Sequence, residues 1–422
     1  MMQPPRLLAA TLLIAFIVRF WNLEAPRLTA DESLHYLPEM QQIHQLSFAQ
    51  QRRHPIDLYH ATSPNPIGHP LLAVQIVNLV MRLTRPEPVA GRAVMAFAGV
   101  LLTGVAYLLG RDLFTSFHGL ITAAIAALLP LAVRYQRTLY LDPVFSLLAA
   151  AFVWCLYRGL QPSGRGWAIA AGVLLGLAMA TKSSALTLVV LAVAYGAVRW
   201  SQSDANQPAP AQQTAQRKRP SRAWRDKARA VTWIRFEAWL ETMPARVILI
   251  VGSACLVFVV FVAPGSYLEA IRHPVDTGYQ DLSPIFLLSH LWRQRAWLGG
   301  VALFLWTPPV LLAAAGGLIL IVRRWGRASA ADVLLVIWLV TTGPLLFLHL
   351  AGLSGEHGYL SFVAPVGLLA AVAIMALPRR WLLAALLATL VVMLPATLLY
   401  GYRLAPTPYA SYLNNVDAAP AP

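Results

Sequence analysis

Two acidic positions carry the clearest indication of chemistry in the sequence. Asp31 and Glu32 are adjacent, a few residues beyond the first apolar segment, and Asp142 stands at the start of a later one. Neighbouring carboxylates at the edge of an apolar segment suit a general base or a cation site. Ionisable groups near hydrocarbon cost free energy, so those that occur there are candidates for a functional role. Helix capping is the alternative, because Asp and Glu are favourable in a first helical turn and Asp142-Pro143 is a common helix opening.

Basic residues near the same helix ends could complement these acids. Lys182 lies between two apolar segments, and four arginines stand near the ends of others: Arg19, Arg92, Arg134 and Arg137. Each side chain could simply extend to lipid head groups. Together they would form an electropositive rim suited to a phosphate group.

The elements that position these residues follow from composition. Of the 422 residues 58% are hydrophobic and only 12% are charged, and the mean hydropathy is +0.59. Soluble domains carry about 25% charged residues, so a soluble enzyme is excluded, as is a disordered chain. Cys155 and Cys255 both lie in apolar runs, which gives neither a disulfide framework nor a zinc-binding spacing. The composition predicts a polytopic membrane protein.

Eleven apolar segments are candidates for membrane-spanning helices. They lie at about 7–23, 91–109, 118–134, 143–158, 166–181, 184–198, 246–263, 297–322, 331–350, 359–376 and 382–399. The first is interpreted as an uncleaved span rather than a signal peptide. The segment 67–83 is short and is interrupted by Gln75 and Asn78, which favours a juxtamembrane or half-inserted helix.

The distribution of charge orients these spans. If 67–83 does not cross, nineteen of the 33 basic and six of the 18 acidic residues lie on one face, with ten of the basic residues in 199–246. The positive-inside rule makes that face cytoplasmic and leaves 24–90 and 264–296 as the long outer segments. The net charge of +15 therefore indicates topology rather than nucleic-acid binding.

Several motifs resemble the GT-C lipid-linked sugar transferases, above all the protein O-mannosyltransferases and the aminoarabinose–lipid A transferases. In chain order the motifs are Arg19-Phe20-Trp21-Asn22-Leu23, Ala30-Asp31-Glu32 with Tyr36 and Met40, His69-Pro70-Leu71, Gly91-Arg92 with Gly99, Asp142, Thr181-Lys182, and Gly358-Tyr359 with Pro365. The Asp-Glu motif after the first span is the most specific of them. The resemblance implies an all-α, polytopic GT-C fold with about eleven transmembrane helices and juxtamembrane helices on the outer face.

The resemblance also implies a reaction. The donor would be a polyprenyl-phosphate sugar, and a hydroxyl of an acceptor lipid, glycan or protein would attack its anomeric carbon with inversion. Asp31 would be the general base, with Glu32 beside it, and Asp142 would help to position the substrates. Contacts to the donor phosphate are expected from Lys182, Arg92, Arg137, His357 and Tyr359, and contacts to substrate from Tyr36 and His69.

One motif departs from the family pattern. Gly358 stands where the family usually has Arg, and His357 precedes it. Either His357 takes over a phosphate contact, or the site binds a different donor. No cofactor or nucleic-acid partner is expected, and a divalent metal ion at Asp31, Glu32 or His357 stays open as an alternative.

The predicted organisation has four parts on an inner (plasma) membrane, with the active site on the periplasmic face. Residues 1–199 form the catalytic membrane module, including the first outer loop 24–90. Residues 200–245 form a cytoplasmic linker and a basic interfacial helix, 246–400 form further membrane helices with the outer loop 264–296, and 401–422 form a short outer tail. Acceptor recognition is expected from 264–296. Two other functions stay open: a lipid or sugar transporter or flippase, and a catalytically silent scaffold of envelope assembly.

Overall fold

The fold is built from helices. The computed structural model describes residues 4–24, 72–84, 87–161, 164–204, 242–261, 299–350 and 356–402, together with residues 32, 37, 44, 46, 47, 49 and 50. Over these residues the regular structure is helical, without a β-strand. Helices satisfy their backbone hydrogen bonds internally, which is what apolar segments in a bilayer require. The predicted all-α class is confirmed.

The helices follow the apolar segments of the sequence. They are α1 (Pro4–Phe20), α2 (Leu72–Leu83), α3 (Pro88–Leu113), α4 (Ser116–Leu128), α5 (Pro130–Gln136), α6 (Asp142–Gly159), α7 (Arg165–Met179), α8 (Leu186–Asp204), α9 (Met243–Phe261), α10 (Pro308–Arg323), α11 (Ala330–Leu350), α12 (Val363–Met375) and α13 (Arg379–Ala396). A described helix overlaps each of the eleven predicted spans.

The number of membrane crossings stays a prediction. Within the part of the chain that the structure describes, three helical segments are long and apolar enough to cross a membrane: Pro88–Leu113, Gly358–Met375 and Arg379–Tyr400. The bent pair α4 and α5 would add a fourth. Helix α2 has 12 residues and is therefore about 18 Å long, well short of a hydrocarbon core of about 30 Å. This length agrees with the predicted half-inserted helix.

The third predicted span, 118–134, is wrong as one continuous helix. Helix α4 ends at Leu128, α5 begins at Pro130, and the two axes are bent by 55°. Proline lacks the N–H that continues a helix and disfavours the helical conformation of the residue before it. The predicted span 297–322 is interrupted in the same way, because Thr307, with φ 62°, separates a short π-helix from Pro308 at the start of α10.

Small residues allow the helices to approach closely. A Cβ added at Gly110 of α3 would lie 2.7 Å from Gly119 Cα of α4, and one at Gly172 of α7 would lie 2.3 Å from the Ile250 carbonyl of α9. Association inside a membrane depends on such close packing because lipid chains are as apolar as the side chains. These contacts fix the helices whose ends carry the candidate site.

Candidate functional site

A buried ion pair joins two of the predicted site residues. The Lys182 Nζ lies 2.6 Å from the Asp142 Oδ1, and the side chains are 12% and 4% exposed. Asp142 is the first residue of α6, and Lys182 follows the C-terminal end of α7. Asp142 lies in the first turn of α6 before Pro143, as the helix-opening alternative expects, and its carboxylate also binds Lys182. The pair places one acid and one base at the same end of the helix bundle.

A second buried ion pair fixes Glu32. Its two carboxylate oxygens accept hydrogen bonds from Arg92 Nε and Nη2 at 2.9 and 3.0 Å, and Arg92 Nη1 donates to the Leu23 carbonyl at 3.0 Å. Glu32 is 0% exposed and Arg92 is 2% exposed. Bidentate pairs of this kind combine strong, charge-assisted bonds with a defined orientation. Arg92 is therefore engaged by protein groups in this structure.

The same carboxylate links Glu32 to the segment that leads into α6. The Leu139 backbone N–H donates to Glu32 Oε1 at 2.9 Å, and Leu139 is three residues before Asp142. Glu32 is thus bound to the segment just before α6, 107 positions further along the chain.

The Arg19 side chain binds backbone carbonyl groups at the break between α4 and α5. Its side chain is fully buried and donates to the Ala126 and Ala127 carbonyls at 2.7 and 2.9 Å, and to Gln136 Oε1 at 2.7 Å. The Ala126 carbonyl would normally accept from the backbone N–H four residues on, and that residue is Pro130, which has none. The guanidinium group replaces the helical donor that the proline removes.

Arg137 binds the C-terminal end of α1. Its guanidinium donates to the Trp21 and Asn22 carbonyls at 2.6 and 3.1 Å, and to the Arg19 carbonyl at 3.3 Å. It also lies over the ring of Tyr402, 4.0 Å from the centroid. The last carbonyls of a helix lack intrahelical donors, so this arginine satisfies groups that would otherwise be unpaired.

Tyr402 joins the end of the described chain to the first helix. Its hydroxyl donates to the Val18 carbonyl at 2.5 Å. Burial raises the pKa of the Tyr402 phenol, and the positive charges of Arg137 and Arg19 partly offset the rise.

The structure describes only some of the remaining predicted site residues. Tyr359 is 2% exposed and lies in the 3₁₀ segment Glu356–Phe362, which contacts α5 and α6. The backbone of His357 lies in the same segment, but its side chain is outside the described residues. Asp31, Tyr36 and His69 are outside them as well, as are the outer loop 264–296 and most of 200–245.

The expectation that the arginines extend to lipid head groups is wrong. Arg19, Arg92, Arg134 and Arg137 are all at most 5% exposed. Arg19 and Arg137 point toward carbonyl groups at the break and at the end of α1, whereas Arg92 points toward Glu32. Pro130 in the sequence indicates that carbonyl groups at the break need other donors. Nothing in the sequence indicates that Arg19 binds Gln136 or that Arg137 lies over the ring of Tyr402.

The described residues do not form a recognisable metal site. No group of three or more His, Cys, Asp or Glu side chains that could hold a metal ion is found among them. The acids at this end of the bundle are instead paired with Lys182 and Arg92. Paired carboxylates and cations of this kind can position a substrate and neutralise a phosphate group.

Comparisons with known proteins identify one matching family model. Residues 68–207, about a third of the chain, match the family model described as dolichyl-phosphate-mannose-protein mannosyltransferase. The matched range contains Arg92, Asp142 and Lys182. No curated protein sequence matches the chain.

Solved structures of two kinds share the fold. The apo crystal structure of the Archaeoglobus fulgidus oligosaccharyltransferase has a TM-score of 0.56 at 13% identity, over 94% of this chain and 55% of its own. ArnT from Cupriavidus metallidurans, solved with undecaprenyl phosphate, has a TM-score of 0.52 at 16% identity, over 92% of this chain and 63% of its own. The archaeal oligosaccharyltransferase AglB from Archaeoglobus fulgidus, in complex with an inhibitory peptide and a dolichol phosphate, has a TM-score of 0.54 at 14% identity, over 95% and 55%.

The chain thus spans less than two thirds of the length of these structures. The oligosaccharyltransferases and ArnT are glycosyltransferases of the GT-C superfamily. The matching family model also describes a glycosyltransferase, a mannosyltransferase. The resemblance that the sequence motifs indicate is confirmed: this chain is a helical, membrane-type protein with the GT-C fold.

Proposed function

We propose that the protein is an inverting glycosyltransferase that moves a sugar from a polyprenyl-phosphate donor to an acceptor hydroxyl. The observation that carries the proposal is the Asp142–Lys182 pair, at the end of the bundle to which Glu32 is also bound. It supplies a carboxylate and a fixed cation in a fold whose solved examples include proteins bound to undecaprenyl phosphate and dolichol phosphate.

Lys182 is the proposed partner of the donor phosphate. Glycosyl transfer from a phosphate-linked donor leaves a phosphate monoester, whose developing charge is stabilised by a cation that is already in place. The ammonium group has three N–H donors, so it can bind a phosphate oxygen while it keeps its bond to Asp142. Asp142 would orient the ammonium group and help to position the substrates. Tyr359 and His357 are proposed as further contacts to the donor.

Asp31 is the proposed general base. It precedes Glu32, whose carboxylate is held by Arg92 and the Leu139 N–H. Anchoring the neighbour of a catalytic residue restricts the positions that the residue can take, and proton transfer requires such positioning. Tyr36 and His69 are proposed to contact substrate, and the acid–base step needs no metal ion.

Two predicted phosphate ligands are given a different role. Arg92 and Arg137 bind Glu32 and the end of α1, respectively, with buried side chains. We assign them to positioning the segment that carries Asp31 and Glu32. The reaction is proposed to take place on the outer face of the cytoplasmic membrane, where nucleotide sugars are absent and a lipid carrier is the natural donor.

A transfer assay tests the proposal. Full-length protein in membranes receives polyprenyl-phosphate donors with radiolabelled sugars, and label is followed into lipid, glycan and protein fractions. The Asp31→Asn variant should lose about 10²–10⁴-fold in rate, the usual contribution of a general base. Glu87→Gln, which neutralises an exposed carboxylate outside the site, is the matched control. Undiminished transfer by Asp31→Asn would remove Asp31 as the base, and lipid translocation without sugar transfer would favour a flippase.

A further inference from the structure

A groove beside α2 contains a buried amide group that the proposed reaction does not use. The groove has a volume of about 280 Å³ and is lined mainly by Leu72, Gln75, Ile76, Leu79, Arg82 and Phe261. The five residues from α2 are spaced at i, i+3, i+4, i+7 and i+10, so they form one stripe along the helix. Phe261 belongs to the last turn of α9.

Gln75 lies in the middle of this stripe. Both polar atoms of its carboxamide are buried, and neither has a hydrogen-bond partner among the described residues. Asn78, which also borders the groove, is already bonded to His44 at 2.9 Å. Buried amide groups are almost always hydrogen-bonded because an unpaired one loses its interaction with water without compensation. The Gln75 amide is therefore available as a donor and as an acceptor to a polar group of a bound molecule.

Arg82 adds a positive charge at the far end of the groove. One of its terminal nitrogens donates to the His44 and Leu46 carbonyls, at 2.8 and 3.2 Å. The side chain is exposed, and the guanidinium group has five N–H groups in all. Gln75 and Arg82 are seven residues apart, about 10 Å along the helix axis. An anionic group at Arg82 and a polar group at Gln75 can thus belong to one ligand.

The groove is continuous with a surface that is suited to lipid. Leu79 in the groove is 58% exposed, and on α9 the residues Leu256, Val259 and Val260 are 69%, 45% and 46% exposed. Exposed aliphatic side chains on an apolar helix are typical of contact with hydrocarbon. A molecule in the groove could therefore continue along α9 as an acyl chain.

We infer that this groove binds an anionic diacyl phospholipid of the surrounding membrane. An ester carbonyl would accept a hydrogen bond from Gln75 Nε2, and the phosphate with its head group would lie at Arg82. A polyprenyl chain fits less well, because it has no polar atom along its length and would leave the Gln75 amide unpaired in hydrocarbon. The inference concerns a structural lipid and does not depend on the proposed function.

The groove lies next to the Asp142–Lys182 pair. The Leu72 N–H at the start of α2 donates to the Ala180 carbonyl at 3.0 Å, two residues before Lys182. Leu72 and Ala180 are buried together, with Ile76 and Phe261 against them. A lipid in the groove would therefore stabilise the packing of α2 against the turn that carries Lys182.

Photo-crosslinking tests the inference on the purified full-length protein. The probe is phosphatidylglycerol with a diazirine in one acyl chain, and the cross-linked peptides are mapped by mass spectrometry. We expect labelling of peptides from α2 and the end of α9. The Gln75→Leu and Arg82→Gln variants should each reduce it by about threefold to tenfold, the range for loss of one hydrogen bond or charge-assisted contact. Arg327→Gln, which removes an exposed arginine elsewhere, should leave labelling unchanged.

Two further comparisons, one with another lipid and one with another variant, complete the experiment. Phosphatidylcholine with the same chains should label these peptides more weakly, because it has no net negative charge to pair with Arg82. Gln75→Glu should reduce labelling while preserving the size of the side chain, which separates lipid binding from any misfolding of Gln75→Leu. Labelling that is unaffected by all three groove substitutions would overturn the inference. So would displacement of the probe by equimolar undecaprenyl phosphate, which would make the groove a site for the prenyl chain.

Discussion

The Glu32 carboxylate accepts a hydrogen bond from the Leu139 backbone N–H, across 107 positions of the chain. Through Arg92, the same carboxylate is also bound to the end of α1, because Arg92 donates to the Leu23 carbonyl. One acidic side chain therefore connects the first helix, α3 and the segment before α6. This contact places Glu32 close to the start of α6, where Asp142 meets Lys182.

Removing one partner of the Glu32–Arg92 pair should destabilise the protein. Glu32→Gln or Arg92→Gln leaves the other charge buried, which typically costs about 3–5 kcal/mol in the free energy of unfolding. Replacing both residues by Leu and Met should cost less than either single change, because no unpaired charge remains. Thermal unfolding of the purified protein in detergent measures these differences. A double variant as unstable as the sum of the singles would contradict a coupled pair.

Lys182 should be required for binding of the donor phosphate rather than for folding alone. We expect Lys182→Gln to weaken the binding of undecaprenyl phosphate by about tenfold or more, because a charge-assisted contact is lost. Lys182→Arg keeps the positive charge and should retain much of the binding. Fluorescence or calorimetric titration with the lipid phosphate measures the change. Equal binding by wild type and Lys182→Gln would mean that the lysine serves only the ion pair with Asp142.

Arg19 should be among the most sensitive positions of the first helix. Arg19→Met removes the donors to the Ala126 and Ala127 carbonyls and to Gln136, each a buried group that costs about 1–3 kcal/mol when unpaired. We expect a loss of at least about 3 kcal/mol in the free energy of unfolding, measured by thermal or denaturant unfolding. Arg6→Met, an exposed arginine at the other end of α1, is the control and should change it little. Similar stabilities for the two variants would show that Arg19 is dispensable for the break at Pro130.

Substitution by alanine at two glycines of α3 should change the stability of the protein in opposite directions. A Cβ at Gly99 would lie 2.4 Å from Gln136 Oε1 and 2.5 Å from Arg19 Nε, so Gly99→Ala must displace the buried hydrogen bond between them. Overpacking of this kind costs about 1–3 kcal/mol. At Gly104 the nearest atom is Leu12 Cδ2 at 3.8 Å, and Ala should be neutral or stabilising by up to about 1 kcal/mol. Unfolding temperatures of the two variants check the contrast, and a stable Gly99→Ala variant would contradict the tight packing around Arg19.

Much of the fold could be predicted because apolar segments are strong local signals. Each predicted span overlaps a described helix, and 67–83 contains the short helix α2, since length and interruption by Gln75 and Asn78 are visible in the sequence. The break inside 118–134 could have been read from Pro130, which removes a backbone donor. The break at Thr307 is less evident, because its positive φ depends on the packing around it.

The sequence by itself determined that the chain is an all-α membrane protein, and which acids and bases stand at helix ends, because hydrophobicity and charge are properties of single residues. Only the tertiary structure decided which charges meet. Asp142 pairs with Lys182, whereas Glu32 takes Arg92 and the Leu139 N–H, and Arg137 turns to the end of α1. These partners lie 40 to 118 positions apart. For the two acids the choice depends on which cation the packing of distant helices brings near. For Arg137 it depends on the carbonyl groups that the end of α1 leaves unpaired, and no local pattern specifies either.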